Sequence, residues 1–268
     1  MGREVCRAVV ARPGLELAAA VDPACAGAAV VDLLGPDADG AGAARLAGQV
    51  VAPDLAALAA AGVEVAVDFT HRDVSLEVLE RCASEGIHAV VGSTGFDEAD
   101  LDRIGRRFDR AAGATANCLI AANFAIGAVL MMRFAALAAP WFDAAEIVEL
   151  HHEQKIDAPS GTALRTAEGM AAARRDAGRG ALLADATTTV VVEGARGGAG
   201  PDGVRLHSVR LPGLVAHQEV LLGSPGQGLT IRHDAYDRAS FMDGVILAVE
   251  SVAARPGLTL GIEPLLGL

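Results

Sequence analysis

From Val63 onward the chain alternates short apolar runs with helical stretches, and no other feature narrows its possible folds as much. Val63 to Phe69, His88 to Val91 and Ala114 to Ile120 read as strands, separated by helical patterns over Asp73 to Glu85 and Asp97 to Ala112. Strands alternating with helices predict a parallel sheet, because joining parallel neighbours requires a crossover that a helix supplies. The three runs end in Asp68-Phe69-Thr70-His71, Gly92-Ser93-Thr94-Gly95 and Ala121-Ala122-Asn123-Phe124. Ligands of open parallel sheets bind outside the carboxyl ends of the strands, so these turns are expected to line one crevice.

Upstream, residues 1 to 12 read as an amphipathic helix stopped by Arg12-Pro13-Gly14, and Leu15 to Val21 as a strand ending at Asp22. That order is the second half of a βαβ unit. Residues 26 to 49 are Gly/Ala-rich and read as a surface connection, followed by a short strand at Gln49 to Ala52 and a helix at Leu55 to Ala61. Beyond a helix from Phe124 to Ala139 the pattern changes. Ala145 to His152 reads as a strand and Thr162 to Arg175 as a helix. Thr187 to Glu193, Val204 to Leu211, Ala216 to Leu222 and Leu229 to His233 read as strands joined by glycine turns. The five-glycine stretch from Gly194 to Gly203 suits a mobile lid or a plain exposed hairpin loop. Ser240 to Ala254 reads as a helix that returns to the first lobe. The expected fold class is α/β: a Rossmann-like parallel-sheet domain (residues 1–122 and 234–268) and an α+β domain with a mixed or antiparallel sheet (residues 123–233), to which the resemblance described below assigns substrate binding and oligomerisation.

A formal charge of -12 argues against nucleic acid or an anionic membrane as partner. The apolar run Asn123 to Met132 stops at Arg133, well short of the ~20 residues a spanning helix needs. Cys6, Cys25, Cys82 and Cys118 show no CxxC spacing, and with no secretory signal they read as reduced cysteines of a cytoplasmic protein. No metal site is expected. His151 and His152 are adjacent at the end of a strand, where successive side chains face opposite ways, and the segment offers no convergent third ligand.

The chemistry concentrates between His151 and Ala163. This stretch holds Lys155, the sole lysine of the protein, where every other basic side chain besides histidine is arginine. A lysine can give up a proton and an arginine cannot. Pro159-Ser160-Gly161-Thr162 follows, with Ser160 as cap of the next helix and Gly161 open to close approach by a ligand. A helix start presents free N–H groups and a positive dipole, an anion site. Beside Lys155, that start suits carboxylate recognition next to proton transfer. Asp22 stands where a ribose-binding acid is expected in a dinucleotide fold.

The string His151-His152-Glu153-Gln154-Lys155-Ile156-Asp157-Ala158-Pro159-Ser160-Gly161-Thr162-Ala163 resembles the signature of the 4-hydroxy-tetrahydrodipicolinate (dihydrodipicolinate) reductase family. The resemblance extends through the three turns above, Arg210 to Glu219 and Ile231-Arg232-His233-Asp234, nearly the whole chain. It implies hydride transfer from NADH or NADPH to a cyclic imine dicarboxylate with loss of water, in diaminopimelate and lysine biosynthesis. It further implies His151 and Lys155 as catalytic proton carriers, His152 as a substrate contact, and Gly161 with Thr162 as holders of a carboxylate. Gly92, Ser93, Thr94, Ala121, Ala122, Asn123 and Phe124 would touch the nicotinamide side of the cofactor, Asp22 the adenosine ribose, and a homotetramer would assemble through the second lobe.

The resemblance breaks at the start. The family pattern opens on a strand and a G-x-x-G-[RK]-[MV]-G loop, of which only Gly2 and Arg3 remain as cofactor contacts, so the first strand and most of the loop are expected to be missing. A chain of that kind would bind cofactor poorly. The alternative function is a non-catalytic scaffold or regulator that retains the fold. Pro23 follows Asp22 with no arginine to accept a 2′-phosphate, which favours NADH.

Overall fold

The first helix, α1 (Gly2–Ala11), turns Val5, Val9 and Val10 inward, and α2 (Val30–Leu34) buries Val30 and Leu34. A shorter helix, α3 (Ala56–Ala60), leads into β1 (Val65–Asp68), followed by α4 (Arg72–Glu85), β2 (His88–Val91), α5 (Glu98–Arg107) and β3 (Cys118–Ile120). The computed structural model describes residues 1–35 and 46–268. These form two compact units, Met1–Phe124 with Phe241–Leu268, and Ala125–Ser240. The boundaries differ from the expected ones at 122/123 and 233/234. The second sheet explains the later one, because Ala216 still pairs with Ala235 at its last register position.

The second unit opens with α6 (Ile126–Ala138) and continues through β4 (Ala144–His151), α7 (Gly161–Asp176), β5 (Gly198–Ala199), β6 (Arg205–Arg210), β7 (Ala216–Ser224) and β8 (Gln227–Ala235). Its mixed sheet has the order β5-β6-β4-β7-β8, with β4 parallel to β6 and antiparallel to β7. Ile147, Leu206, Val220 and Leu222 pack with Met131, Ala163, Ala167 and Met170 into one core. Buried Arg174 ties this unit together, with Nη1 donating to the carbonyls of Ala139 and Phe142 at 2.7 Å each.

The chain then returns to the first unit through α8 (Met242–Val252) and β9 (Leu258–Leu260). The first sheet is parallel throughout, in the order β1-β2-β3-β9. Ala89, Val91 and Cys118 are buried in its core with Leu79, Cys82 and Phe108, as an all-parallel sheet covered on its faces requires. At the top of α8, Gly244 is needed for packing, since a Cβ there would lie 2.0 Å from the carbonyl oxygen of Phe124.

Three expectations are corrected. Leu15 to Val21 and Gln49 to Ala52 are not strands: they meet through the isolated parallel bridge Val21↔Ala52, and Val50 makes an isolated antiparallel bridge with Ala29. Among the described residues Leu15 to Val21 has no strand on its other side, so no ladder extends it. Thr187 to Glu193 is also irregular, with Val191 89% exposed. Its β-branched residues favour a strand, but propensity without a neighbouring edge makes none. In the Gly194 to Gly203 stretch, Gly198 and Ala199 pair with β6. Part of the expected surface connection 26–49 lies outside the described residues, and the rest contains α2.

On the outer edge of β1, where the described residues supply no pairing strand, a cavity of about 1750 Å³ opens within the first unit. Its wall includes Val5 and Val9 of α1, Leu17 and Val21, and Val65 and Val67 of β1.

Candidate functional site

In the first unit the three strand ends stand side by side, because Asp68 registers with Val91 and Val91 with Ile120. Gly92 N–H donates to the Asp68 carbonyl at 2.8 Å and Ala121 N–H to the Val91 carbonyl at 3.0 Å. The turns Gly92-Ser93-Thr94 and Ala121-Ala122-Asn123-Phe124 therefore leave the sheet from adjacent positions. Asp68 organises their base: buried, it accepts from Thr70 N–H at 3.0 Å, from Ser93 Oγ at 3.4 Å and from the Ser75 hydroxyl. The Phe69 and Phe124 rings meet at 5.6 Å. Gly92 is required by this packing, since a Cβ would sit 2.0 Å from the Phe69 ring.

Gly2, Arg3 and Asp22 are not on those turns; with Asp68 and Phe69 they border the cavity beside β1. Gly2 and Arg3 open α1, whose preceding residue Met1 makes no side-chain cap, so the helix start keeps the N–H groups an anion would use. Asp22 caps a short 3₁₀ turn, accepting from Ala24 N–H at 2.9 Å.

In the second unit, β4 alternates buried and half-buried positions, with Ala145, Ile147 and Glu149 inward. Glu149 is a fully buried carboxylate at 0% exposure. His151, two residues on and on the same face, brings Nδ1 to 2.5 Å from Glu149 Oε2. Parallel pairing sets Arg210 of β6 opposite His151, and its guanidinium donates to both Glu149 oxygens at 2.8 Å. Ser160 N–H donates to Glu149 Oε1 at 3.2 Å. Burial pushes the Glu149 carboxyl up, but hydrogen bonds from His151, Arg210 and Ser208 outweigh it and hold the group down at about 2.

β4 ends at His151, and exposed His152 begins the turn to α7, its carbonyl accepting from Lys155 N–H at 3.2 Å. Lys155 Nζ donates to the Asp157 carboxylate at 2.7 and 3.0 Å. Those bonds hold Asp157 below the usual carboxylate range. Arg210 also donates to the Asp157 carbonyl at 2.7 Å, joining the lysine turn to the buried carboxylate. Ser160 caps α7 through Ala163 N–H at 3.1 Å. Gly161 and Thr162 form the first helical turn, and a Cβ at Gly161 would meet nothing within 4 Å. The structure thus gathers His151, Lys155 and the Gly161–Thr162 helix start around one end of β4. It adds three residues that sequence reasoning did not assign a role: Glu149, Asp157 and Arg210.

A parallel sheet whose strand ends stand side by side, together with a mixed sheet carrying a buried carboxylate–imidazole pair beside a helix start, is the framework of a two-unit oxidoreductase. Two family models cover the chain, "Dihydrodipicolinate reductase, N-terminus" over residues 1–124 and "Dihydrodipicolinate reductase, C-terminus" over residues 127–266. The chain belongs to the dihydrodipicolinate reductase family. It is 50% identical over 268 residues to the 4-hydroxy-tetrahydrodipicolinate reductase of Nocardia farcinica, covering 100% of this chain and 95% of that protein. The enzyme of the same name from Thermobifida fusca is 56% identical over 206 residues, 76% of this chain and 82% of its own. Among solved structures, the dipicolinate-bound dihydrodipicolinate reductase of Paenisporosarcina sp. TG-14 superposes with a TM-score of 0.80 at 36% identity, covering 98% of this chain and 94% of that one.

Proposed function

We propose that this chain reduces 4-hydroxy-tetrahydrodipicolinate to tetrahydrodipicolinate, with NADH preferred over NADPH, and that His151 and Lys155 manage the protons. The observation that carries this reading is the arrangement at the end of β4. A buried carboxylate holds His151, and the start of α7 offers backbone N–H groups at Gly161 and Thr162. A dicarboxylate placed there is met by the helix start at one carboxylate, with His152 as an exposed second contact. Lys155 supplies an ammonium proton, and Asp157 holds that ammonium in place. The dipicolinate carried by the Paenisporosarcina relative has the same pair of carboxylates on a flat ring.

The nicotinamide group supplies the hydride when bound. In this chain the turns Gly92 to Thr94 and Ala121 to Phe124 would flank its ring, with Gly2 and Arg3 at the helix start nearest its diphosphate and Asp22 at its ribose. The preference for NADH rests on Asp22 being followed by Pro23 and not by a cation that could accept a 2′-phosphate. We place the enzyme in the cytoplasm as a homotetramer assembled through the second sheet. β8 is a nine-residue edge strand with much of its length exposed, and an open edge of that length favours pairing with another chain. The test is a steady-state assay following oxidation of each reduced nicotinamide cofactor with 4-hydroxy-tetrahydrodipicolinate as acceptor. Turnover with NADH at a higher kcat/KM than with NADPH is expected, and no turnover with either would overturn the reading.

A further inference from the structure

The mechanism above uses His151 but leaves unexplained why a carboxylate is buried completely behind it. Glu149 is at 0% exposure, and its two oxygens meet His151 Nδ1 at 2.5 Å, two Arg210 nitrogens at 2.8 Å and Ser160 N–H at 3.2 Å, with the Ser208 hydroxyl as a further donor. Stability alone does not account for such an arrangement. An ion pair in an interior is often no better than apolar residues of the same volume.

We infer that Glu149 is a positioning residue for the reductase reaction, fixing which nitrogen of His151 exchanges the proton. This rests on the reading that His151 carries a proton. An ionised carboxylate only accepts hydrogen bonds, so the nitrogen facing it must bear a hydrogen. Nδ1 is therefore the permanent N–H, and Nε2, on the far side of the ring, is the nitrogen that gains and loses a proton. The ring cannot exchange the two roles without giving up its bond to a buried anion.

The remaining bonds serve the same end. Arg210, two-pronged and planar, holds the carboxylate in one orientation. It arrives from β6, not from the strand that carries Glu149 and His151, so rotation of the carboxylate would break bonds to a second strand. The Ser160 contact ties the same carboxylate to the residue that caps α7, so the helix start and the imidazole share one anchor. Asp157 and Lys155 join through the Arg210 bond to the Asp157 carbonyl. The order of parts is that of a proton-transferring base oriented by a third group.

The test uses the whole chain labelled with ¹⁵N at histidine. The neutral His151 ring is expected to show the Nδ1–H tautomer in the unsubstituted protein, and an Nε2–H tautomer overturns the inference without any variant having to fold. In Glu149→Gln the amide can accept or donate, so the tautomer preference should weaken and kcat should fall by about 10-fold or more, while KM stays within a few fold. Glu149→Asp, which keeps the charge, should recover part of the loss. Combining Glu149→Gln with His151→Gln separates positioning from general damage: once His151 is replaced, Glu149→Gln should lower kcat no further, whereas additive losses overturn the inference. If His151→Gln alone leaves kcat unchanged, the proton role of His151 fails, and the tautomer result reports separately whether Glu149 orients the ring.

Discussion

Holding a carboxylate near a pKa of about 2 inside the second unit must leave a mark on stability against pH. The unfolded chain returns Glu149 to its ordinary value of 4.5, so the folded state binds its proton far more weakly. A group with a depressed folded pKa stabilises above the unfolded value and loses that contribution as pH falls towards the folded one. The full difference is about 3 kcal/mol at about 1.4 kcal/mol per unit, and about 2 kcal/mol of it should disappear between roughly pH 6 and pH 3. Glu149→Gln removes the titration and leaves Arg210 short of its partner. The variant should be less stable at neutral pH by about 3 kcal/mol, with a pH slope shallower by about 2 kcal/mol over the same interval. Urea unfolding at several pH values measures both quantities. Far-UV circular dichroism follows the transition, since the one tryptophan, Trp141 in the second unit, is already 74% exposed in the fold. Other carboxylates of the unit, Glu146, Asp185 and Asp234, titrate in both proteins and cancel in the difference. Equal slopes for the two proteins would refute the argument.

Lys155→Ala should reduce kcat by about 10²- to 10⁴-fold if its ammonium is the general acid; an unchanged rate removes it from the mechanism. His151→Gln should act on kcat and His152→Gln mainly on KM, because His151 packs against Glu149 while His152 is exposed; the reverse split would exchange their roles. Gly92→Ala forces a methyl group into the Phe69 ring and should lower the melting temperature of the first unit, by about 1–3 kcal/mol of stability; an unaltered melting profile would show that Phe69 relaxes freely.

The parallel sheet was legible because its strands carry a two-sided apolar signal and its helices have clear ends, such as the Asp97 cap, whose side chain accepts from Asp100 N–H at 2.8 Å. β9 was not, since Leu258–Leu260 is a three-residue run whose strand character comes from pairing with β3. In the site, the run from His151 to Thr162 could be read directly because its chemistry is contiguous. Glu149 left a signal that could have been used: it shares the inward parity of Ala145 and Ile147, where a carboxylate demands a partner. Arg210 left none. It lies 61 residues from Glu149, and only the pairing of β6 with β4 brings the two together.

That same parallel pairing offers a practical opening. A chain cannot turn directly from one parallel strand into the next, and between β4 and β6 it runs through α7 and then an irregular stretch near residues 186–195, where Val190, Val191 and Val192 are exposed. Closing a longer loop costs little, about 0.6 kcal/mol for each doubling of length. A fluorophore-bearing tag or a small reporter domain spliced near Val191 would therefore leave the ends of β4 and β6, and the carboxylate–imidazole pair they hold, in register.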